Sequence, residues 1–212
     1  AGLTANGVPN RALRGPETII SAGVYPAAGG VLVTAANATI DGFSILGNGV
    51  RNGEVAHVQV SAPNFAFRNN LSNSQLDNPF QPGGQNSVGL LTAFGSNYNN
   101  LQIEGSVFAR QRNGVFLNPS NLVTSITVSD TDFASRTGIN SDIGSWNSSL
   151  VYTLTGNNFG LSTVDSLPFG PVTAVNVGEV VSGMTVNFTN NTIASNYAGV
   201  QLQDVKSGGN VN

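Results

Sequence analysis

Asp41, Arg68 and Glu104 are the residues of this chain whose types and spacing come nearest to a reactive constellation. Each holds the same position in one of three segments with a shared pattern. If those segments stack, Arg68 sits between two carboxylates, with Thr39 and Gln102 beside them. Two carboxylates flanking a guanidinium suit acid–base chemistry. They equally suit a surface ladder of ion pairs that avoids like charges in direct register. The sole histidine, His57, lies in Ala56-His57-Val58 on an expected strand. It reads as an outward or internally satisfied imidazole, not a general base. Asp130-Thr131-Asp132 could hold calcium together with backbone carbonyls, but Asp130 falls at a turn position that explains it without a metal. The residues therefore imply no metal and no cofactor. Tyr98 and Trp146 lie in polar stretches, Ser96–Asn100 and Ile143–Ser148. They are glycan-contact candidates if their rings are exposed, and loop anchors if they are not.

The elements that would position these residues are repeats. Ala38–Ile45, Phe65–Leu71, Leu101–Phe108, Ile126–Phe133, Tyr152–Phe159 and Val186–Ile193 share one register. Each alternates apolar and polar residues, then places Gly42, Asn69, Gly105, Asp130, Gly156 or Asn190, then returns to a large apolar residue. Alternation with period two predicts a half-buried strand. Gly, Asn and Asp are the residues that tolerate positive φ, so a left-handed corner is expected after each strand. Successive units are offset by 27, 36, 25, 26 and 34 residues, a basic coil of about 25 with two insertions. The insertions are Gln75–Gly84 and Val164–Val172, which carry Pro79, Pro82, Pro168, Pro171, Phe80 and Phe169. A second strand recurs at Val115/Leu117 and Val200/Leu202, with Val88/Leu90 and Val175/Val177 as its counterparts in the long units. Phe108, Phe133 and Phe159 share a column and predict an internal ring stack. Asn70, Asn157 and Asn191, with Ser106 and Thr131 between them, predict a side-chain hydrogen-bond ladder.

Such a unit cannot close a core alone. Its apolar face must be covered by the coils above and below, which gives parallel sheets along a solenoid, and parallel crossovers are overwhelmingly right-handed. The expected fold is all-β, a right-handed parallel β-helix over residues 18–212, with residues 1–17 as an extended lead-in. The stretch from Val186 to Val200, Val-Asn-Phe-Thr-Asn-Asn-Thr-Ile-Ala-Ser-Asn-Tyr-Ala-Gly-Val, resembles the repeat of right-handed parallel β-helix proteins, the pectate-lyase-like superfamily. In that family the outer face of the first sheet carries the catalytic residues of polysaccharide lyases and hydrolases. The resemblance thus implies that Asp41, Arg68 and Glu104 would be the catalytic candidates if the chain is an enzyme. The Asn-Thr-Asp, Asp-Asp and Gly-His-Gly motifs of polygalacturonases are absent.

Only 9% of the residues are charged, eight basic against eleven acidic, for a net charge of −3. That is well below the usual quarter. With no run of basic residues, the composition argues against a nucleic-acid partner. No run approaches the roughly 18 apolar residues of a membrane span. The absence of cysteine excludes disulfides. The chain opens on Ala-Gly, as the mature product of signal-peptide cleavage would. The expectation is a bacterial protein that is extracellular or on the cell surface.

Neither terminus shows the helical period of a cap. The spacing of inward residues continues from Val200 and Leu202 to Val211, the start of another coil. These three are candidates for assembly contacts, through strand addition or end-to-end stacking of copies into a polymer, or through sequence that continues the same chain. The favoured expectation is a secreted, non-enzymatic structural protein, a building block of a filament, surface layer or adhesin stalk. The alternative is a carbohydrate-active protein with a polysaccharide partner, either a lyase or hydrolase using Asp41, Arg68 and Glu104, or a binding module using Tyr98 and Trp146.

Overall fold

The computed structural model describes residues 18–22, 30–47, 54–74, 86–109, 111–160, 173–194 and 198–212. These form a right-handed parallel β-helix of three seven-stranded sheets. Sheet I comprises Thr18–Ala22, Phe43–Gly47, Leu71–Ser74, Val107–Ala109, Asp132–Ala134, Asn158–Phe159 and Thr192–Ile193. Sheet II comprises Val31–Val33, Glu54–Val60, Asn86–Thr92, Asn113–Leu117, Thr137–Ser141, Thr173–Val180 and Ala198–Val205. Sheet III comprises Thr39–Asp41, Ala66–Arg68, Leu101–Glu104, Ser125–Ser129, Val151–Thr155, Thr185–Thr189 and Asn210–Val211. The chain visits I, II and III in turn, and each coil pairs in parallel with the next. No helix occurs among the described residues.

Alternation produces the strands as expected. In Ser125–Ser129, Ile126 and Val128 are fully buried while Ser125, Thr127 and Ser129 face outward. At the corner from sheet III to sheet I, Gly42, Asn69, Gly105, Asp130, Gly156 and Asn190 all have φ between 48° and 78°. Six positions expected from residue type alone are left-handed. The corner from sheet II to sheet III holds a second left-handed set that the sequence reading missed, Asn37, Asn64 and Asn100 (φ 61°, 56° and 58°). Their amides chain along the stack, Asn64 Nδ2 donating to Asn37 Oδ1 at 2.9 Å and Asn100 Nδ2 to Asn64 Oδ1 at 3.2 Å.

Inside, Phe108, Phe133 and Phe159 stack at centroid distances of 5.4 and 4.9 Å with planes within 7°. Phe67 extends the stack from sheet III, 5.5 Å from Phe108. It does so because the column position one coil before Phe108 is Ser72, a polar residue. The expected ladder forms at the adjoining corner. The backbone N–H groups of Asn70, Ser106, Thr131 and Asn157 donate to the side chains of Ser106, Thr131, Asn157 and Asn191 respectively, at 3.2, 3.4, 3.1 and 2.9 Å. Every buried amide in that corner finds a partner one coil on.

One register expectation is corrected. Leu90, not Val88, lies opposite Val115, and Val88 lies opposite Asn113. A slip of two residues preserves which side chains face inward, so alternation alone cannot distinguish the two registers. Thr92 then precedes Leu117 in its column and is used locally, accepting from the Asn118 N–H at 2.8 Å. The lead-in 1–17 and the insertions Gln75–Gly84 and Val164–Val172, with Phe80 and Phe169, lie outside the described residues. Each insertion falls between a sheet I strand and the following sheet II strand.

Candidate functional site

On the outer face of sheet III, Asp41 is in register with Arg68, and Arg68 with Glu104. The column continues through Ser129, Thr155 and Thr189. Arg68 Nε lies 3.4 Å from Glu104 Oε2, and its Nη2 donates to Gln102 Oε1 at 2.9 Å. Asp41 Oδ1 accepts from Asn69 Nδ2 at 3.0 Å. The Arg68 and Glu104 side chains are 42% and 55% exposed, so water screens the pair and its stabilising effect is small. The three residues are brought together on an open, flat face, as a ladder of alternating charge.

Tyr98 and Trp146 are not on the surface, so of their two readings the structure gives the loop anchor and removes the glycan contact. Tyr98 is completely buried and its hydroxyl donates to the carbonyl of Asn118. Trp146 is 7% exposed, and its Nε1–H donates to the Asp142 carbonyl at 3.0 Å. Both anchor the connections between sheets II and III to the core. The polar residues that flank each ring in sequence lie at the surface while the rings turn inward.

His57 is buried at the corner of sheets I and II, its Nδ1 2.7 Å from Ser72 Oγ. Gln111 Nε2 donates to Ser72 Oγ and to the Ser72 carbonyl at 3.1 and 2.9 Å, and Ser135 Oγ donates to Gln111 Oε1 at 2.9 Å. All four side chains are essentially inaccessible. A serine and a histidine in contact here have no route to a substrate, and they serve as a satisfied polar cluster beneath the ring stack. Among the described residues no group of three or more His, Cys, Asp or Glu side chains could hold a metal ion. No helix among them is long and apolar enough to cross a membrane.

A cleft of about 280 Å³ lies on sheet II, where the chain arrives from sheet I. Arg112, Asn113, Phe116, Arg136, Asn140 and Asn176 are among its lining residues. Asn113 pairs with Thr137 in register, so the arginines just before them are counterparts in adjacent coils. The connection from sheet I is short in these two coils and carries the long insertions in the coils on either side. The sequence shows no basic cluster because the arginines are one coil apart along the chain. Coil spacing, applied to charged residues as it was to the phenylalanines, was the signal that could have found them.

In the last described coil, Val200 is in register with Val175, Leu202 with Val177, and Val211 with Val186. Leu202 packs partly buried against the core, whereas Ile193, Val200, Val205 and Val211 are between 39% and 48% exposed. Compared with known proteins, the chain matches no protein family, no curated protein and no solved structure. The likeness to β-helix repeat proteins therefore stands at the level of architecture, parallel strands in three stacked sheets, with no family shown.

Proposed function

We propose that the chain is a structural segment, a rigid β-helical building block of an extracellular filament, surface layer or adhesin stalk of a bacterial cell. The observation that carries this reading is the last described coil. Its three strands keep the register of the stack, and four apolar side chains on it stand about two-fifths exposed. A further coil in the same register, from another copy of the chain or from sequence that continues this one, would cover those side chains and satisfy the open strand edges. The sparse charge over the outer faces suits a load-bearing wall more than a catalytic surface. Sedimentation of the purified chain over a concentration series tests this. Polymers that grow with concentration support it. A monomer that releases reducing or unsaturated ends from an acidic polysaccharide overturns it.

The cleft on sheet II favours a second reading, a glycan-binding module. It rests on the polar lining around Arg112 and Arg136, and on Phe116, whose ring could meet the C–H face of a sugar. Tyr98 and Trp146 contribute nothing to it, since both are buried. Affinity electrophoresis through gels containing a panel of soluble polysaccharides tests this reading. Retardation by any of them supports it.

A further inference from the structure

We infer that the outer face of sheet III, in the coils from Ser125 to Thr189, is an ice-binding surface whose ligand is the ordered water of an ice crystal. The strands Ser125–Ser129, Val151–Thr155 and Thr185–Thr189 pair in parallel at all five positions, with no bulge or slip. Two outward columns therefore run straight across three coils, Thr127, Thr153 and Asn187 in one and Ser129, Thr155 and Thr189 in the other. All six side chains belong to residues that are partly or fully exposed. The corners on both sides of these strands are described residues, and Val151 beside the array stands exposed.

Charge separates this part of the face from the rest. Asp41, Arg68 and Glu104 hold the second column in the earlier coils, whereas from Ser125 onward no outward residue of the sheet is charged. A charged side chain gives up its hydration shell at high cost against a lattice of neutral water molecules. A hydroxyl or amide exchanges one water partner for another and loses little. The uncharged array and the uncharged crystal are therefore matched.

Spacing selects the ligand. Strands of adjacent coils lie about 4.8 Å apart and alternate residues along a strand about 6.6 Å apart. Both repeats are close to those of the oxygen positions on the prism face of hexagonal ice, so successive side chains meet successive lattice waters. Soluble ligands are held in concave sites, whereas a flat repeating array fits a flat repeating partner. The array is also held in place. Branching at Cβ restricts the threonine χ1 angles, Thr189 Oγ1 donates to Thr155 Oγ1 at 2.9 Å, and Asn212 Nδ2 donates to Asn187 Oδ1 at 3.0 Å. A hydroxyl has one donor and two acceptor positions, so the bonded pair keeps capacity for water. Each threonine methyl adds apolar surface that leaves liquid water on contact.

Ice-affinity partition tests the inference. Ice is grown slowly on a cooled probe in a dilute solution of the full chain, and the protein frozen into the ice is compared with that left in the liquid. The parent chain should be enriched in the ice, while serum albumin in the same solution is excluded. Thr153→Lys sets a charge at the centre of the array and should abolish incorporation. Thr39→Lys adds the same charge to the same column beside Asp41, outside the array, and should leave incorporation unchanged. Circular dichroism confirms that both variants are folded. Exclusion of the parent chain from the ice, uptake of the Thr153 variant at the parent's level, or equal loss in the Thr39 variant overturns the inference. None of these outcomes bears on the assembly of coils, which the sedimentation series tests.

Discussion

The ring of Phe159 occupies the space that Gly138 leaves by having no side chain. A Cβ at Gly138 would lie 2.6 Å from Phe159 Cδ1 and 2.6 Å from the Ala174 carbonyl oxygen. The relationship repeats one coil earlier, where a Cβ at Gly114 would lie 2.8 Å from Phe133 Cδ1. Each sheet I ring of the stack, Phe108 against Gly89 included, thus rests against a glycine of the preceding coil. The ring stack and the adjoining sheet II glycines are one packing unit.

Gly138→Ala is therefore expected to lower stability by about 1–3 kcal/mol, the usual cost of overpacking where neither neighbour can move freely. Gly42→Ala provides the comparison. Nothing lies within 4 Å of a Cβ there, and only its φ of +78° is strained, so the loss should be about 1 kcal/mol. Denaturant unfolding of both variants checks this, and a Gly138 variant as stable as the parent would mean that the rings do not close on the glycines.

Asn157 is the centre of the corner ladder. Its Oδ1 accepts from the Thr131 N–H at 3.1 Å, while its Nδ2 donates to the Val128 carbonyl at 2.9 Å and to Asn191 Oδ1 at 3.0 Å. Asn157→Ala strands the buried Thr131 N–H and the Val128 carbonyl, both in the preceding coil, at about 1–3 kcal/mol each. The loss should exceed that of Asn64→Ala, whose Nδ2 bond to Asn37 is solvent-exposed. Hydrogen exchange should show faster opening at Thr131 in the Asn157 variant, and unchanged protection there would place the ladder outside the stabilising framework.

The corner residues, the alternating strands and most of the ring stack were legible in the chain because each depends on local chemistry. Only Gly, Asn and Asp adopt φ near +60° without appreciable strain, so Asp130 and Asn190 announce their corner. The glycines at 114 and 138 were not legible, because what requires them is a ring contributed by the next coil. Arg112 and Arg136 were missed for the same reason. Their proximity exists only once the coils are stacked, and the Asn113–Thr137 register is what stacks them. Asp41, Arg68 and Glu104 were read correctly as neighbours, since their column is fixed by the same alternation that fixes the strands.

Tyr98 and Tyr152 are both buried, but only one hydroxyl is satisfied. Tyr98 donates to the Asn118 carbonyl, whereas Tyr152 Oη is buried without a hydrogen-bond partner. Burial pushes both hydroxyls to pKa values above the usual range for tyrosine, most strongly at Tyr152. Tyr152→Phe should be neutral or stabilising by up to about 1 kcal/mol, because it removes an unpaired polar atom and keeps the ring. Tyr98→Phe should cost about 1 kcal/mol, since it orphans a carbonyl. Thermal unfolding of the two variants decides, and equal losses would show that Tyr152 has a partner in solution.

Asp132 gives the fold one pH-dependent contribution. It is 7% exposed at the start of a sheet I strand, and burial raises its pKa from 3.8 to about 6, partly offset by the Asn158 Nδ2–H that it accepts at 2.8 Å. The folded state therefore holds the proton more tightly than the unfolded chain. Its contribution to stability is fully present below pH 3.8 and is lost as pH rises through about 6. The difference amounts to at most about 3 kcal/mol. Asp132→Asn removes the charge and keeps an acceptor for Asn158. It also brings a donor close to Asn158 Oδ1, which is buried without a partner. The variant should be more stable than the parent at pH 7 and equal to it near pH 4. Unfolding midpoints of both proteins across that interval give the difference curve, and a flat curve, or a variant weaker at neutral pH, would mean that the carboxylate is solvated in the folded chain.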